Sequence, residues 1–164
     1  MSDKKYNIMF VCTGNTCRSP MAEGALKKLF EKEKPGPYKV FSCGTAGASG
    51  YPATSYAREA AKMWDIDLTG HASQQLTEAL IEKSDLILAM SPEHLETVLE
   101  ISPEAAEKTF LFKNFPENDP VGEAVEDPIG QDLSKYNEIF LEIGEYLGKN
   151  LPEFVKRIKE NNNA

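Results

Sequence analysis

The segment NIMFVCTGNTCRSP, residues 7–20, is the most informative part of the sequence for the fold class, because it is predicted to join a strand, a loop and a helix. Its first part, Asn7–Val11, is a nearly continuous apolar run, which is typical of a strand covered on both faces of a parallel sheet. A short polar loop follows, and Pro20 suits the first turn of a helix because it has no N–H to leave unpaired. Apolar positions then recur at helical spacing, at Ala22, Ala25, Leu26, Leu29 and Phe30.

The rest of the chain continues this alternation of short strands and helices. Two Ser-Pro-Glu triplets, at 91–93 and 102–104, each predict a helix start, and Pro152 predicts a kink or restart in the last helix. The alternation predicts a doubly wound α/β domain with its ligand site at the carboxyl ends of the strands. Further strands are predicted over Tyr38–Cys43, Asp85–Met90 and Thr109–Phe112. Core positions of the later helices are predicted at Ala57, Ala60, Ala61, Trp64, Tyr136, Ile139, Phe140, Ile143, Leu147, Phe154 and Ile158.

Length and charge limit the number of domains and the partners. The 164 residues predict a single domain over residues 1–160, and the asparagine-rich end at 161–164 is expected to be frayed. Lys and Arg number 18 against 26 Asp and Glu, and the net charge of -8 argues against binding nucleic acid or an anionic membrane. Apolar runs such as Leu86–Met90 are far too short to cross a bilayer. We expect a monomer.

Cysteine use indicates the compartment. Cys12, Cys17 and Cys43 cannot all pair, and none lies in a CxxC motif, so neither a disulfide scaffold nor a zinc site is indicated. Residues 1–10 show no secretory leader pattern. These features predict a cytoplasmic protein with reduced thiols, no metal and no other cofactor.

The loop between Cys12 and Arg18 has the composition of a cradle for one tetrahedral anion. Its backbone N–H groups and the following helix N-terminus can point at the anion, and Gly14 permits a backbone angle that other residues resist. The planar guanidinium of Arg18 can clamp two phosphate oxygens. Amides, helix dipole and a Ser19 hydroxyl are expected to lower the pKa of Cys12 and favour its nucleophilic thiolate. The alternative is a buried structural Cys12 with Arg18 as a surface charge.

Other phosphate-binding loops fit poorly. No GK[ST] follows a glycine at the spacing of a nucleoside triphosphate loop. Gly44, Gly47 and Gly50 lie three residues apart, which is not the GxGxxG pattern of dinucleotide-binding proteins. These glycines are interpreted as a flexible wall beside the site.

The segment VCTGNTCRSPMAE, residues 11–23, resembles the low-molecular-weight protein tyrosine phosphatase family. Supporting features are Ser42 with Gly44, His71, the DLILAM strand at 85–90, and Asp127-Pro128. The resemblance implies a doubly wound, four-stranded parallel sheet with helices on both faces. It also implies a protein phosphatase that acts on phosphorylated proteins through a cysteinyl-phosphate intermediate, without a metal.

The resemblance assigns roles to individual residues. Cys12 attacks phosphorus, and Asp127 protonates the leaving group and then activates water. From the residues alone, Asp127 competes with three other acidic residues, although only Asp127 precedes a proline. These competitors are Glu123, Glu126 and Asp132. Phosphate binding falls to Arg18 and to the amides of Thr13, Gly14, Asn15, Thr16, Cys17 and Arg18.

A polar network that braces the loop is also implied, formed by Asn15, Ser19, Ser42 and His71. Without the resemblance, His71 is better explained as an ordinary residue flanking a helix. His94, at the third position of a short helix, is interpreted as a surface residue.

The substrate is predicted from three positions at the rim. Tyrosine-specific members carry a bulky aliphatic residue where this chain has Thr16, which therefore resembles the arginine-phosphatase branch and favours phosphoarginine. Ile129 stands where both groups tend to have an aromatic residue, so it matches neither. The open alternative is phosphotyrosine, with Tyr51 or Tyr56 as the aromatic wall instead of as ordinary surface and packing residues.

Three other classes remain as alternatives. An arsenate reductase needs a relay of late cysteines, and Cys43 is the last one here. A cysteine acyl hydrolase could use His71 as its base, but the cradle suits a dianion better. A phosphoresidue-binding module needs no Cys12. Cys17 could form a reversible disulfide with Cys12, or it could be a packed thiol.

Overall fold

Four parallel strands form the centre of the molecule. The computed structural model describes residues 4–164, and its sheet has the strand order β2-β1-β3-β4. The predicted four-stranded doubly wound sheet is therefore confirmed, and every predicted strand boundary lies within one residue of the observed one. The strands are β1 (Tyr6–Cys12), β2 (Tyr38–Gly44), β3 (Leu86–Ala89) and β4 (Thr109–Leu111).

Helices cover both faces of this sheet. Within residues 4–164 they are α1 (Arg18–Glu33), α2 (Ser55–Lys62), α3 (Glu78–Lys83), α4 (Pro92–Ile101), α5 (Leu133–Lys149) and α6 (Leu151–Asn162), with a 3-10 helix over Pro103–Lys108. Ile8 and Phe10 of β1 belong to the core formed with α1, α2, α5 and α6. Met9 and Val11 belong to the core formed with α3 and α4. Burial on both faces explains why β1 is an uninterrupted apolar run.

One prediction about the helices is wrong. Trp64 is not a core residue: it is 56% exposed, because α2 ends at Lys62 and a left-handed Asp65 (φ 60) turns the chain away. The triplet at 102–104 does open a helix, as predicted, but it is a six-residue 3-10 helix, because only four residues separate the triplet from β4. The short α3 has no counterpart in the sequence prediction.

The C-terminal helix continues beyond residue 160. It extends through Asn162, and Asn161 donates a hydrogen bond of 3.2 Å to the carbonyl of Lys4. Pro152 occupies its first turn and marks a new helix after α5. Across residues 4–164, no helix has the length and apolar character that a membrane crossing requires.

The strand ends bring the predicted motif loops together at one edge of the sheet. The amide of Thr45 donates to the carbonyl of Cys12 at 2.9 Å, which joins the loops that follow β1 and β2. The amide of Val125 donates to Met90 at 2.7 Å, which joins the long loop before α5 to the end of β3. The Arg18 side chain also bonds the Val125 carbonyl at 3.1 Å, so residues more than 100 positions apart meet at this edge.

Candidate active site

A small cavity opens where β1 ends and α1 begins. Its volume is about 210 Å³, and the buried Cys12 lies in its wall with Arg18 nearby. The cavity is lined by Cys12, Thr13, Gly14, Thr16, Cys17, Arg18, Asp127 and Ile129. The loop from Cys12 to Arg18 and the Asp127 segment therefore enclose one space, as the motif predicts.

Arg18 is almost fully buried, and three contacts hold its guanidinium group. Its Nη1 donates to the Val125 carbonyl at 3.1 Å, and its Nη2 donates to Thr13 Oγ1 at 3.3 Å. Nη2 also lies 3.5 Å from Asp127 Oδ2. The alternative of Arg18 as a surface charge is therefore wrong. Asp127 itself is 40% exposed and accepts a bond of 3.1 Å from the amide of Ile129.

The other acidic residues of this loop point elsewhere. Glu123 lies 3.8 Å from Lys113, and Glu126 lies 3.1 Å from Lys135. Asp132 caps α5 by accepting a hydrogen bond of 3.0 Å from the amide of Lys135. Of the four candidates, Asp127 alone lines the cavity.

Asn15 is the centre of a buried polar network beneath the loop. Its Nδ2 donates to Ser19 Oγ at 2.8 Å and to Ser42 Oγ at 2.9 Å. Its carbonyl lies 2.7 Å from His71 Nε2. Ser42 in turn donates to Glu23 Oε1 at 2.7 Å. The structure therefore brings all four predicted bracing residues together, and His71 is not an isolated helix-flanking residue.

The strained position of the loop differs from the predicted one. Asn15, not Gly14, has the left-handed backbone, with φ of 60. Asn15 tolerates this region better than most residues, and its bonds to Ser19 and Ser42 hold it there. A Cβ on Gly14 would meet only Thr16 Oγ1 at 3.5 Å, whereas one on Gly44 would lie 2.3 Å from the Thr13 carbonyl. The close approach of two loops is therefore what requires glycine, at position 44.

Burial dominates the electrostatics of Cys12. It raises the pKa of the thiol, and the Ser19 hydroxyl 2.8 Å from Sγ, the Ser19 and Asn15 amides and the charge of Arg18 lower it in part. The prediction of a lowered pKa is therefore wrong in direction, because it counted the amides and Arg18 but not the loss of water around the sulfur. Because both protons of the Asn15 amide nitrogen go to Ser19 and Ser42, the Ser19 hydroxyl is free to donate to Sγ.

His94 is a site residue that the sequence argument placed on the surface. It is buried, and its Nε2 lies 2.8 Å from Thr13 Oγ1 while its Nδ1 lies 2.8 Å from Ser91 Oγ. Burial, followed by the charge of Arg18, lowers its pKa to about 4. The sequence did contain one indication of this role: His94 lies in the first turn of a helix that starts at the carboxyl end of β3, which is the predicted edge of the ligand site.

Tyr136 is a second residue whose role the helical pattern did not indicate. It is buried as predicted, but its hydroxyl lies 3.3 Å from Cys17 Sγ and 3.4 Å from Thr54 Oγ1. Burial and the Cys17 thiol raise its pKa to about 12. Tyr56 stacks edge-on against Tyr136, with ring centroids 5.6 Å apart.

Two of the three predicted specificity residues lie at the cavity, and the third does not. Thr16 and Ile129 line the cavity, and Ile129 is 55% exposed at its rim. Tyr51 does not line it: its side chain is 59% exposed and its amide is held by Ser73 Oγ at 3.0 Å. Within residues 4–164, no three His, Cys, Asp or Glu side chains cluster as a metal site would require.

Comparison with known proteins gives an independent result. The family model described as low molecular weight phosphotyrosine protein phosphatase matches residues 7–164. The low molecular weight protein-tyrosine-phosphatase Etp of Escherichia coli K12 is 37% identical over 141 residues, 85% of this chain and 89% of Etp. A protein-arginine-phosphatase of Geobacillus stearothermophilus is 39% identical over 131 residues, 80% of this chain and 84% of that protein.

A solved structure is similarly close. It is the YwlE arginine phosphatase, in a cysteine-to-serine mutant with a phosphorylated active-site serine. The TM-score is 0.82 at 34% identity, over 96% of this chain and 98% of that one. Relatives with tyrosine and with arginine in their names thus match to a similar degree, so similarity alone does not separate the two substrates.

Proposed function

This chain belongs to the low molecular weight phosphotyrosine protein phosphatase family and is a phosphatase, and we propose that it hydrolyses phosphoarginine in proteins through Cys12, Arg18 and Asp127. The observation that carries the catalytic assignment is the shared cavity, where the buried sulfur, the fixed guanidinium and the half-exposed carboxylate meet. We further propose a cytoplasmic monomer that binds neither nucleic acid nor membrane. The charge of -8 and three free cysteines support this view.

Binding of the phosphoryl group relies on backbone amides and Arg18. In the part of the chain that the structure describes, the amides of residues 13–17 donate to no backbone carbonyl. The Asn15 amide acts on Cys12 Sγ, and the others are available to an anion. Arg18 begins α1, so its guanidinium and the helix N-terminus both favour negative charge at this point. The cradle therefore suits a phosphate dianion.

In the first chemical step, the Cys12 thiolate attacks phosphorus in line with the leaving group. A P–S bond forms while the P–N bond of phosphoarginine, or the P–O bond of a phosphate ester, breaks. Asp127 gives its proton to the departing nitrogen or oxygen. The Ser19 hydroxyl stabilises the thiolate before attack and again when the sulfur leaves. The phosphorylated active-site serine of the YwlE mutant supports such a covalent intermediate.

In the second step, water attacks the phosphocysteine from the side that the leaving group vacated. Asp127, now a carboxylate, accepts a proton from this water, the P–S bond breaks, and phosphate and the Cys12 thiolate result. Apart from the substrate and water, all groups involved are side chains and amides of this chain, and the proposed route needs no metal.

The chemistry of the cavity wall supports phosphoarginine. Thr16 presents a hydroxyl where it lines the cavity, Asp127 supplies a carboxylate, and none of the lining side chains is aromatic. A guanidinium group can pair with a carboxylate and a hydroxyl, whereas a phenol ring gains most from a flat apolar surface. Phosphotyrosine is the second candidate, because Ile129 offers exposed apolar area at the rim.

A direct comparison of substrates tests this proposal. We expect kcat/KM to be higher for a phosphoarginine peptide than for the phosphotyrosine peptide of matched sequence, with Cys12→Ser as the blank. Thr16→Ile should shift the preference towards phosphotyrosine, since it removes the hydroxyl and adds apolar surface.

Tyr51→Ala is the matched control, because Tyr51 is exposed and outside the cavity lining. We expect it to leave the preference unchanged. If the parent enzyme prefers phosphotyrosine and Tyr51→Ala abolishes that preference, Thr16 is not the selector and the wall is Tyr51.

A further inference from the structure

A chain of hydrogen bonds connects the cavity to helix α4. Arg18 Nη2 lies 3.3 Å from Thr13 Oγ1, and the same oxygen lies 2.8 Å from His94 Nε2. On the other side of the imidazole, His94 Nδ1 lies 2.8 Å from Ser91 Oγ. Arg18, His94 and Ser91 are all buried.

The bonding capacity of the groups at its two ends favours one direction for the bonds of this chain. Arg18 can only donate, so Thr13 Oγ1 accepts from Nη2, and its own proton remains available to His94. At the other end, the Glu93 carboxylate can only accept; its own backbone amide and then the Ser91 hydroxyl lower its pKa. Ser91 therefore accepts from His94 Nδ1–H, which leaves Nε2 as an acceptor for the Thr13 hydroxyl.

We propose that His94 is a positioning residue for the phosphatase reaction, which holds Arg18 in its phosphate-binding orientation by fixing the Thr13 hydroxyl. The inference rests on the proposed function, because Arg18 is there the group that binds the phosphoryl oxygens. The need for such a device follows from the other contacts of Arg18. Nη1 is held by the Val125 carbonyl, but Nη2 otherwise faces only the half-exposed Asp127, which has its own chemical role.

The imidazole suits this role because it is neutral in the buried site. The charged groups acting on it are Arg18, Glu93 and Asp127, and burial together with Arg18 disfavours its protonated form. A neutral ring with a bonded Nδ1–H offers a single acceptor, in a fixed direction, to Thr13. An unheld Thr13 hydroxyl could turn its proton towards Nη2 and push the guanidinium out of position.

A double-mutant cycle on hydrolysis of p-nitrophenyl phosphate tests the inference. We expect kcat/KM to fall about tenfold in His94→Leu, the effect of one lost hydrogen bond in a charge-assisted chain. The Ki of vanadate, which mimics the pentacoordinate transition state, should rise by a similar factor. His94→Gln, whose amide oxygen can replace Nε2 as acceptor, should recover most of the activity. Glu96→Gln, at an exposed position of α4, is the matched control.

Non-additivity separates positioning from a general loss of structure. Thr13→Val alone should also lower kcat/KM about tenfold. The kcat/KM of the His94→Leu/Thr13→Val double variant should lie within about twofold of that of the less active single variant. Additive losses, or equal losses in His94→Gln and His94→Leu, would overturn the inference. If His94→Leu does not fold, His94→Asn, whose shorter amide cannot reach Thr13, takes its place in the cycle.

The same assay distinguishes this inference from the proposed function. If the parent protein and Cys12→Ser hydrolyse p-nitrophenyl phosphate equally, the proposed function fails. If the parent is active in a Cys12-dependent way and His94→Leu matches it in kcat/KM and vanadate Ki, only the role of His94 fails.

Discussion

Replacing Ser19 by alanine isolates one contribution to the reactivity of Cys12. The Ser19 hydroxyl lies 2.8 Å from Sγ and is held there by the Asn15 amide. It lowers the pKa of the Cys12 thiol, against the larger opposing effect of burial. Ser19→Ala removes this stabilising bond and leaves the burial unchanged. The pKa of Cys12 must therefore rise further.

The size of the effect follows from the kind of bond that is lost. A hydrogen bond to a charged group contributes about 1.5–3 kcal/mol, and about 1.4 kcal/mol corresponds to a factor of ten in an equilibrium. Because Cys12 and Ser19 are both buried, solvent screening does not reduce this contribution. At neutral pH the thiolate fraction should therefore fall by about tenfold to a hundredfold in Ser19→Ala.

Alkylation of Cys12 by iodoacetamide as a function of pH measures this change. Mass spectrometry of the peptide that carries Cys12 separates it from Cys17 and Cys43. Ser42→Ala is the matched control, since Ser42 bonds Asn15 but not the sulfur, and we expect a much smaller change. If Ser19→Ala and the parent show the same pH dependence of alkylation, Ser19 does not stabilise the thiolate and the reasoning is refuted.

Three further predictions concern other parts of the site. Asp127→Ala should lower kcat/KM, which reports the first chemical step, about a hundredfold to ten-thousandfold on a phosphopeptide but much less on p-nitrophenyl phosphate, whose leaving group needs no proton. Equal losses of kcat/KM on both substrates would contradict its acid role. Gly44→Ala should lower the free energy of unfolding in urea by about 1–3 kcal/mol, because its Cβ would lie 2.3 Å from the Thr13 carbonyl. Gly14→Ala should change it far less, and the same loss in both would refute the steric argument. Arg18→Lys should raise the Ki of vanadate at least about tenfold despite the retained charge, since an ammonium cannot make the paired bonds of a guanidinium; an unchanged Ki would exclude the clamp.

The fold was predictable because its signals are local. Uninterrupted apolar runs define the buried strands, and proline at 92 and 152 marks the first turns of α4 and α6. The errors arose where a segment had too few residues to show a period. The six-residue α3 was missed, and Trp64 continued the spacing of α2 after that helix had already ended at Lys62.

The site was predictable only in its contiguous part. The loop from Cys12 to Arg18 carries its chemistry in seven consecutive residues, so composition and spacing suffice. His94 and Tyr136 reach the loop from distant helices. Helical spacing predicts whether such a residue is buried, but it carries no information on whether the residue also makes a polar contact. The pKa of Cys12 depends on how much water the fold removes, which no local pattern reports.

Trapping a phosphoryl group on Cys12 would demonstrate the covalent intermediate of the proposed mechanism. Asp127→Ala should accumulate the intermediate when p-nitrophenyl phosphate is the substrate, because the first step then needs no acid while the second step loses its base. This variant is mixed with p-nitrophenyl phosphate and quenched rapidly. Peptide mass spectrometry then locates the phosphoryl group. We predict one phosphoryl group on the Cys12 peptide, absent when Cys12→Ala is treated in the same way. Turnover that persists in Cys12→Ala, or a phosphoryl group on another residue, would contradict the mechanism.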